Sequence, residues 1–225
     1  DFEPRYPYVV PHEEPDPEWP VYVAIDHGLH NPTAAVWAAQ NPKTKALYVF
    51  QEYYEVGQLV EYHAANIKFM SRNYPVFAYW IDPSTQNRNA VTGKSVRGEY
   101  LQHGIPVILG YNDLMAGIHK IASYLKLQPN GKPLLQISEK CEHLIEELSQ
   151  YRWEESKDGQ NEKEKPRAYK DHTVDALRYL CMGVPTVDRE SPAGLETVSY
   201  RPKPLAEWYG EGEEDFESQE FFSMV

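Results

Sequence analysis

Two short apolar runs, each closed by an aspartate, constrain the fold of this chain more than any other feature. The first is Val21–Ile25, followed by Asp26, and the second is Val76–Ile81, followed by Asp82. Uninterrupted apolar runs of this length are typical of strands that are buried on both faces of a sheet. We therefore expect a sheet covered by helices on both sides, with an aspartate at the carboxyl end of two central strands.

The segments around these runs predict an α/β fold. Apolar periodicity and turn residues give the predicted elements in chain order: strands at 21–25, 33–39 and 46–54, a helix at 58–72, a strand at 76–81, a helix near 94–103, a strand at 105–109, a helix near 114–125, a strand at 134–137, a helix near 141–148 and a helix at 172–182. Ser138 is expected to cap the helix that contains Cys141 and Leu148. The sequence therefore predicts a mixed β-sheet, an antiparallel meander plus parallel strands, flanked by helices.

Charge and proline content divide the chain into three parts. The formal net charge of −12 is concentrated in residues 1–20, with a net of −5, and residues 186–225, with a net of −7. Residues 21–185 carry 18 acidic and 18 basic residues and are neutral. We expect a Pro-rich linker or arm at 1–20, a domain at 21–185 and an acidic C-terminal tail at 186–225. Because the core is neutral, the total charge does not exclude nucleic acid as a partner.

Two classes of protein are disfavoured. No stretch approaches the roughly 20 apolar residues that span a bilayer, so we expect no membrane association. The two cysteines, Cys141 and Cys181, lie in apolar helical patterns, which indicates buried thiols in a reducing compartment rather than a disulfide framework or a zinc site.

A third acidic site lies in the last predicted helix. Asp171 and Asp175 are four residues apart and share a helix face, and Asp175 is three residues from both His172 and Arg178. An aspartate at a helix start also serves as an N-cap, which would explain Asp171 but not Asp175.

The three acidic sites together suggest metal chemistry. Asp26, Asp82 and Asp175 are hard oxygen ligands that would suit Mg²⁺ or Mn²⁺ if they converge. Two such ions about 4 Å apart promote phosphodiester cleavage. The alternative for Asp26 and Asp82 is an ordinary turn or cap role.

Three motifs carry a resemblance to a known family. They are Val21-Tyr-Val-Ala-Ile-Asp-His-Gly28, Tyr79-Trp-Ile-Asp-Pro-Ser84 and Lys170-Asp-His-Thr-Val-Asp-Ala-Leu-Arg-Tyr179. They resemble the nuclease motifs of the large terminase subunits of tailed bacteriophages, which have a ribonuclease H-like fold. The similarity spans roughly residues 21–182, and the third motif is its most specific part.

The resemblance implies an activity and a set of site residues. It implies a metal-dependent endonuclease that cuts double-stranded DNA with little sequence preference, by two-metal phosphodiester hydrolysis with Mg²⁺ or Mn²⁺. The implied catalytic carboxylates are Asp26, Asp82 and Asp175. Asp171 and His172 are further candidate metal ligands, His172 alternatively being a proton carrier.

Basic residues before the third motif are candidates for DNA binding. They are Lys163, Lys165, Arg167 and Lys170, in a polar segment at 155–170 that we expect to be mobile and to lie over the cleft. The alternative is a charged surface hairpin.

The resemblance also implies partners and a location. Large terminase subunits have an N-terminal ATPase domain that is absent from this chain, and residues 1–20 would be the remains of the connection to it. Double-stranded DNA, the portal protein and the small terminase subunit are the implied partners. The expected location is the host cell cytoplasm, on the procapsid during packaging.

Other functions and features receive less support. The same fold would serve a junction resolvase or an RNA–DNA hybrid nuclease, and a non-catalytic module that docks on the motor is a further alternative. An actin-like ATPase would need a second similar domain. Thr92–Ser95 resembles the end of a P-loop, but Arg88 replaces the required glycine, so a helix start is expected there. Glu146 and Glu147 are expected on a solvated helix face.

Overall fold

The computed structural model describes residues 2–90, 93–151 and 171–185. In chain order the elements are β1 (Val9–Val10), β2 (Val21–Asp26), β3 (Thr33–Gln40), β4 (Leu47–Glu55), α1 (Val60–Ser71), β5 (Val76–Ile81), a 3₁₀ helix (Pro83–Gln86), α2 (Val96–Gln102), β6 (Val107–Leu109), α3 (Leu114–Leu125), β7 (Leu135–Ser138), α4 (Glu142–Gln150) and α5 (His172–Gly183).

The described strands form one mixed sheet in the order β1-β7-β4-β3-β2-β5-β6. The antiparallel pairs β2/β3 and β3/β4 form the predicted meander. β5 and β6 extend the sheet in parallel from β2, while β7 and β1 extend it in parallel from β4. The predicted α/β fold with a mixed sheet is confirmed.

Strand β2 is buried on both faces, which explains its uninterrupted apolar sequence. Tyr22 and Ala24 belong to one core, formed with α3, α4 and α5. Val23 and Ile25 belong to the second core, formed with α1 and α2. Alternation along the strand therefore directs even-numbered residues towards α5 and odd-numbered residues towards α1 and α2.

The same alternation places the two strand-ending aspartates together. β5 runs parallel to β2, and Ile81 pairs with Ile25, so Asp82 and Asp26 follow at the same edge of the sheet. Ala78 and Trp80 of β5 pack in the core that contains α5. The pleat therefore directs Asp82, like Asp26, towards α5.

Two local features differ from the sequence-based expectation. Within the predicted arm, residues 4–8 form bends and turns, and Val9–Val10 forms β1, which pairs with the end of β7 at the edge of the sheet. Ser138 does not cap α4; it ends β7, and Cys141 occupies the N-cap position without a side-chain cap bond. The backbone turns once more after Ser138, through a bond from Cys141 N to Ser138 O, before the helix begins.

None of the helices in the described part of the chain has the length and apolar character needed to cross a bilayer. The predicted boundaries at residues 20 and 185 remain predictions. The acidic tail at 186–225 lies outside the described residues.

Candidate metal centre

Asp26 and His172 form the contact that joins the sheet edge to α5. His172 is the first residue of α5, and its Nδ1 donates to Oδ2 of Asp26 at 3.0 Å. Both side chains are largely buried, with exposed fractions of 14% for Asp26 and 19% for His172. Asp26 of the first sequence motif and His172 of the third are therefore brought together.

Asp82 lies beside Asp26 and starts the 3₁₀ helix that follows β5. Its Oδ1 accepts from Ser84 N at 2.9 Å, and its Oδ2 accepts from Ser84 Oγ at 2.8 Å. The cap role considered from sequence is therefore present. It coexists with the location at the carboxyl edge of the sheet, where ligands bind in α/β folds.

Asp175 lies one turn into α5 and pairs with a buried arginine. Arg178 Nε donates to Oδ1 of Asp175 at 3.1 Å. The arginine side chain is only 3% exposed, while that of Asp175 is 26% exposed. Arg178 thus carries a buried positive charge directly behind this carboxylate.

Electrostatics show that the carboxylates crowd one region. Burial raises the pKa of Asp26; the hydrogen bond with His172 opposes this, and the charges of Asp82 and Asp171 add to it. Burial also raises the pKa of Asp175 to about 6, against the Arg178 charge, with further contributions from Asp26 and Asp171. The pKa of His172 is raised chiefly by its bond to Asp26. A cluster that repels itself in this way is suited to a divalent cation.

The side chains are not arranged as a metal coordination sphere. Among residues 2–90, 93–151 and 171–185, no three His, Cys, Asp or Glu side chains form a group that could hold a metal ion as they stand. Asp26 faces His172, Asp82 faces Ser84 and Asp175 faces Arg178. The donor types fit Mg²⁺ or Mn²⁺, but the three carboxylates do not yet converge on one point, and Asp26 would have to turn from His172 to share an ion.

The N-terminus of α5 is capped by a residue that the sequence predicts to lie on the surface. Asp171 occupies the N-cap position but makes no side-chain cap bond, so the expectation that its carboxylate caps the helix is wrong. Glu147 of α4 supplies the cap instead: its Oε2 accepts from Thr173 N at 2.7 Å, from the Thr173 hydroxyl and from Val174 N at 3.3 Å. Glu147 is 4% exposed, so the predicted solvated face is wrong at this residue.

The missing Asp171 cap bears on the choice of ligand. The sequence favoured Asp175 because a cap role would account for Asp171. Since Glu147 caps the helix end, that role no longer accounts for Asp171, and its charge raises the pKa values of Asp26 and Asp175. Asp171 therefore stays a candidate beside Asp175.

His27, although adjacent to Asp26, is directed away from α5. Its Nδ1 lies 3.2 Å from Tyr100 Oη and 3.2 Å from Thr33 Oγ1. Burial, with a smaller contribution from His63, lowers the pKa of His27 to about 4. It follows the odd-numbered face of β2 and does not contribute to the cluster around Asp26.

Several other sequence-based predictions can be placed. Cys141 and Cys181 are free and buried, as expected. Ser95 starts α2 and its Oγ accepts from Gly98 N at 3.1 Å, which confirms a helix start rather than a nucleotide loop. The candidate DNA-binding residues Lys163, Lys165, Arg167 and Lys170 lie outside the described residues, as does the rest of the predicted loop at 155–170.

The fold and the acidic residues at the carboxyl edge of its sheet define the class of protein. A mixed sheet with a three-stranded meander, whose central strands end in aspartates that face the last helix, is a ribonuclease H-like domain with a candidate nuclease site. The family model for the terminase RNase H-like domain matches residues 26–181. The chain therefore belongs to this family, which confirms the resemblance seen in the sequence.

Solved structures of terminases share the fold. A large terminase from a thermophilic bacteriophage is 26% identical, with a TM-score of 0.63, over 77% of this chain and 42% of that one. The P22 large terminase nuclease domain is 16% identical, with a TM-score of 0.63, over 78% and 86%. The nuclease domain of the SPP1 large terminase with bound Mn is 15% identical, with a TM-score of 0.52, over 71% and 83%. No curated protein matches the chain.

The match to the thermophilic phage protein covers only part of that protein. This chain spans 42% of the length of that large terminase.

Proposed function

We propose that this chain is the metal-dependent endonuclease domain of a viral DNA-packaging terminase, and that it cuts double-stranded DNA with little sequence preference. One observation carries the proposal: Asp26 and Asp82 end adjacent parallel strands and face the helix that holds His172 and Asp175. The family to which the chain belongs and the manganese bound to the SPP1 nuclease domain support it.

Each residue of the cluster has a proposed role. Asp26, Asp82 and Asp175 would bind the divalent ions, with Asp171 as a further ligand. His172 would either join them or carry a proton, because it already donates to Asp26. A pair of Mg²⁺ or Mn²⁺ ions would supply an activated water and charge stabilisation for the leaving oxygen.

The proposed partners follow from the proposed function. Double-stranded DNA is the substrate. An N-terminal ATPase domain, the portal protein and the small subunit are the proposed protein partners, on a procapsid in the host cytoplasm. Lys163, Lys165, Arg167 and Lys170 are proposed to contact DNA phosphates.

Plasmid nicking tests the proposal. Wild-type protein should nick supercoiled DNA with Mg²⁺ or Mn²⁺ and not with EDTA. Asp26→Asn, Asp82→Ala and Asp175→Asn should each abolish nicking while circular dichroism shows a folded protein. Asp16→Ala is the matched control, because Asp16 is exposed in the arm. Full nicking by any one of the three variants would remove that residue from the site.

Substrate comparison separates the alternatives within the fold. Duplex DNA, an RNA–DNA hybrid and a four-way junction would be offered at equal concentration. Preferential cleavage of the duplex supports the terminase proposal. Preference for the junction or the hybrid would favour a resolvase or hybrid nuclease, and no cleavage with any metal would favour a non-catalytic docking module.

A further inference from the structure

The most unusual group near the site is the guanidinium of Arg178. It is 3% exposed, and burying a charge of this size is costly unless it is paired and held by hydrogen bonds. Among the residues that the structure describes, Nη1 is buried without a hydrogen-bond partner. A leucine or methionine would fill much of the same space at lower cost, which points to a specific use of the arginine.

The path of the arginine stem requires a glycine on the neighbouring helix. A Cβ atom placed on Gly117 of α3 would lie 2.2 Å from Cγ and 2.5 Å from Cδ of Arg178. Such distances cannot occur, so any larger residue at Gly117 would displace the arginine. Gly117 thus forms a notch in α3 through which the side chain passes.

The guanidinium is also fixed at its far end. Nη2 donates to Asn112 Oδ1 at 3.2 Å and to Tyr179 Oη at 3.3 Å, while Nε donates to Oδ1 of Asp175. The fork geometry of arginine allows these contacts at once, which the single ammonium of lysine cannot reproduce. The Asp175 carboxylate is therefore held by a side chain that two other residues, Asn112 and Tyr179, fix by hydrogen bonds.

We propose that Arg178 is a positioning residue for the metal centre: by holding Oδ1 of Asp175, it fixes the direction in which that carboxylate faces Asp26 and Asp82. The inference rests on the proposed function, in which Asp175 is a metal ligand. Residues that hydrogen-bond to metal ligands orient those ligands, and loss of such a residue typically weakens metal binding about 10- to 100-fold.

The sign of the effect separates positioning from a simple charge effect. Arg178 adds positive charge beside the proposed cation site, so a charge effect alone predicts that its removal strengthens cation binding. Positioning predicts the opposite, because a carboxylate that can rotate loses its preferred direction. A purely structural role predicts lower stability with unchanged affinity in the folded protein.

The test measures Mn²⁺ affinity by isothermal titration calorimetry on the whole 225-residue chain. Arg178→Gln is expected to raise the Kd for Mn²⁺ about 10-fold, and Arg178→Lys to raise it nearly as much although it keeps the charge. Arg72→Gln is the matched control; Arg72 follows α1, is exposed and stacks on Phe69, and the Kd of this variant should equal that of wild type. Circular dichroism confirms folding of each variant.

Gly117→Ala gives an independent test that changes no charged residue. It should weaken Mn²⁺ binding in wild type, because the new methyl group displaces Arg178. In an Arg178→Ala background the methyl group has room, so we expect adding Gly117→Ala to change the Kd less than about 2-fold, as for sites that no longer interact. If both arginine variants fail to fold, the comparison of Gly117→Ala with wild type decides.

Unchanged or tighter Mn²⁺ binding in the folded variants would overturn the inference. Failure of the proposed function gives a different result: wild type would bind Mn²⁺ more tightly than the Arg178 variants, yet nick no plasmid. Nicking at saturating Mn²⁺ is a second readout, since Arg178→Lys should recover most of the wild-type rate once the ion is forced into the site.

Discussion

Glu147 provides a quantitative test of how α5 is held. Glu147→Ala removes the carboxylate that accepts from two backbone N–H groups, those of Thr173 and Val174, at 2.7 and 3.3 Å. Both residues are at most 1% exposed, so water cannot readily replace the lost acceptor. The substitution should therefore both remove a helix cap and leave a buried donor unpaired.

The magnitude follows from these two losses. Loss of a cap costs about 1–2 kcal/mol, and one unsatisfied buried N–H costs about 1–3 kcal/mol. We expect a fall of about 3 kcal/mol in the free energy of unfolding, with a fall in Tm of about 6–12 °C for a domain of this size. Glu147→Gln keeps an acceptor oxygen and should lose about 1–2 kcal/mol.

The assay is urea unfolding followed by circular dichroism in the presence of EDTA, with thermal melting as a second measure. Glu146→Ala is the matched control, because Glu146 is the exposed neighbour in the same helix. Its free energy of unfolding should stay within about 0.5 kcal/mol of wild type. Equal stability of the Glu146 and Glu147 variants would refute the proposed capping of α5.

Three further predictions concern the buried charges and DNA affinity. Burial lowers the pKa of His63 below its ordinary value of 6.5, so the folded protein keeps this histidine neutral. Below pH 6.5 the unfolded chain binds a proton at His63 more readily than the folded protein does, and the free energy of unfolding falls as the pH falls. His63→Gln should reduce the slope of unfolding free energy against pH below that value by up to about 1.4 kcal/mol per pH unit; an unchanged slope would contradict this. Asp175→Ala relieves repulsion among the carboxylates but leaves Arg178 buried without its counter-ion. It should therefore lower the metal-free free energy of unfolding by about 3 kcal/mol, and Asp175→Asn should lower it by less. A metal-free melting temperature of Asp175→Ala at or above that of wild type would show that the repulsion dominates. The neutral core and acidic site should give weak DNA binding with a shallow salt dependence in filter binding without metal, and nanomolar affinity at physiological salt would be inconsistent with that reasoning.

The sheet could be predicted from the sequence because strands buried on both faces have uninterrupted apolar sequences. Val21–Ile25 and Val76–Ile81 carry no charged residue, and both are central strands covered by helices on each side. The aspartates that end them fall together because the two strands are parallel neighbours. Strand β1 was not predicted, since two residues in a Pro-rich segment give no periodic signal.

The supporting residues of the site were harder to find. Glu147 lies three residues after Leu144 and one before Leu148, at the border of the apolar face of α4, and only this position hinted at burial. The partner that buries it, the end of α5, is distant in sequence. Gly117 and Asn112 likewise matter to the site through their contacts with Arg178, and these contacts form only when α3 packs on α5.

The proposed function requires that Asp26, Asp82 and Asp175 share divalent metal. Anomalous diffraction from crystals of this chain grown with Mn²⁺ tests this requirement most directly. We expect two peaks about 4 Å apart, with Asp26 turned from His172 towards the ions and Asp175 still held through Oδ1 by Arg178. Manganese peaks located elsewhere, with all three carboxylates on the partners they have here, would contradict it.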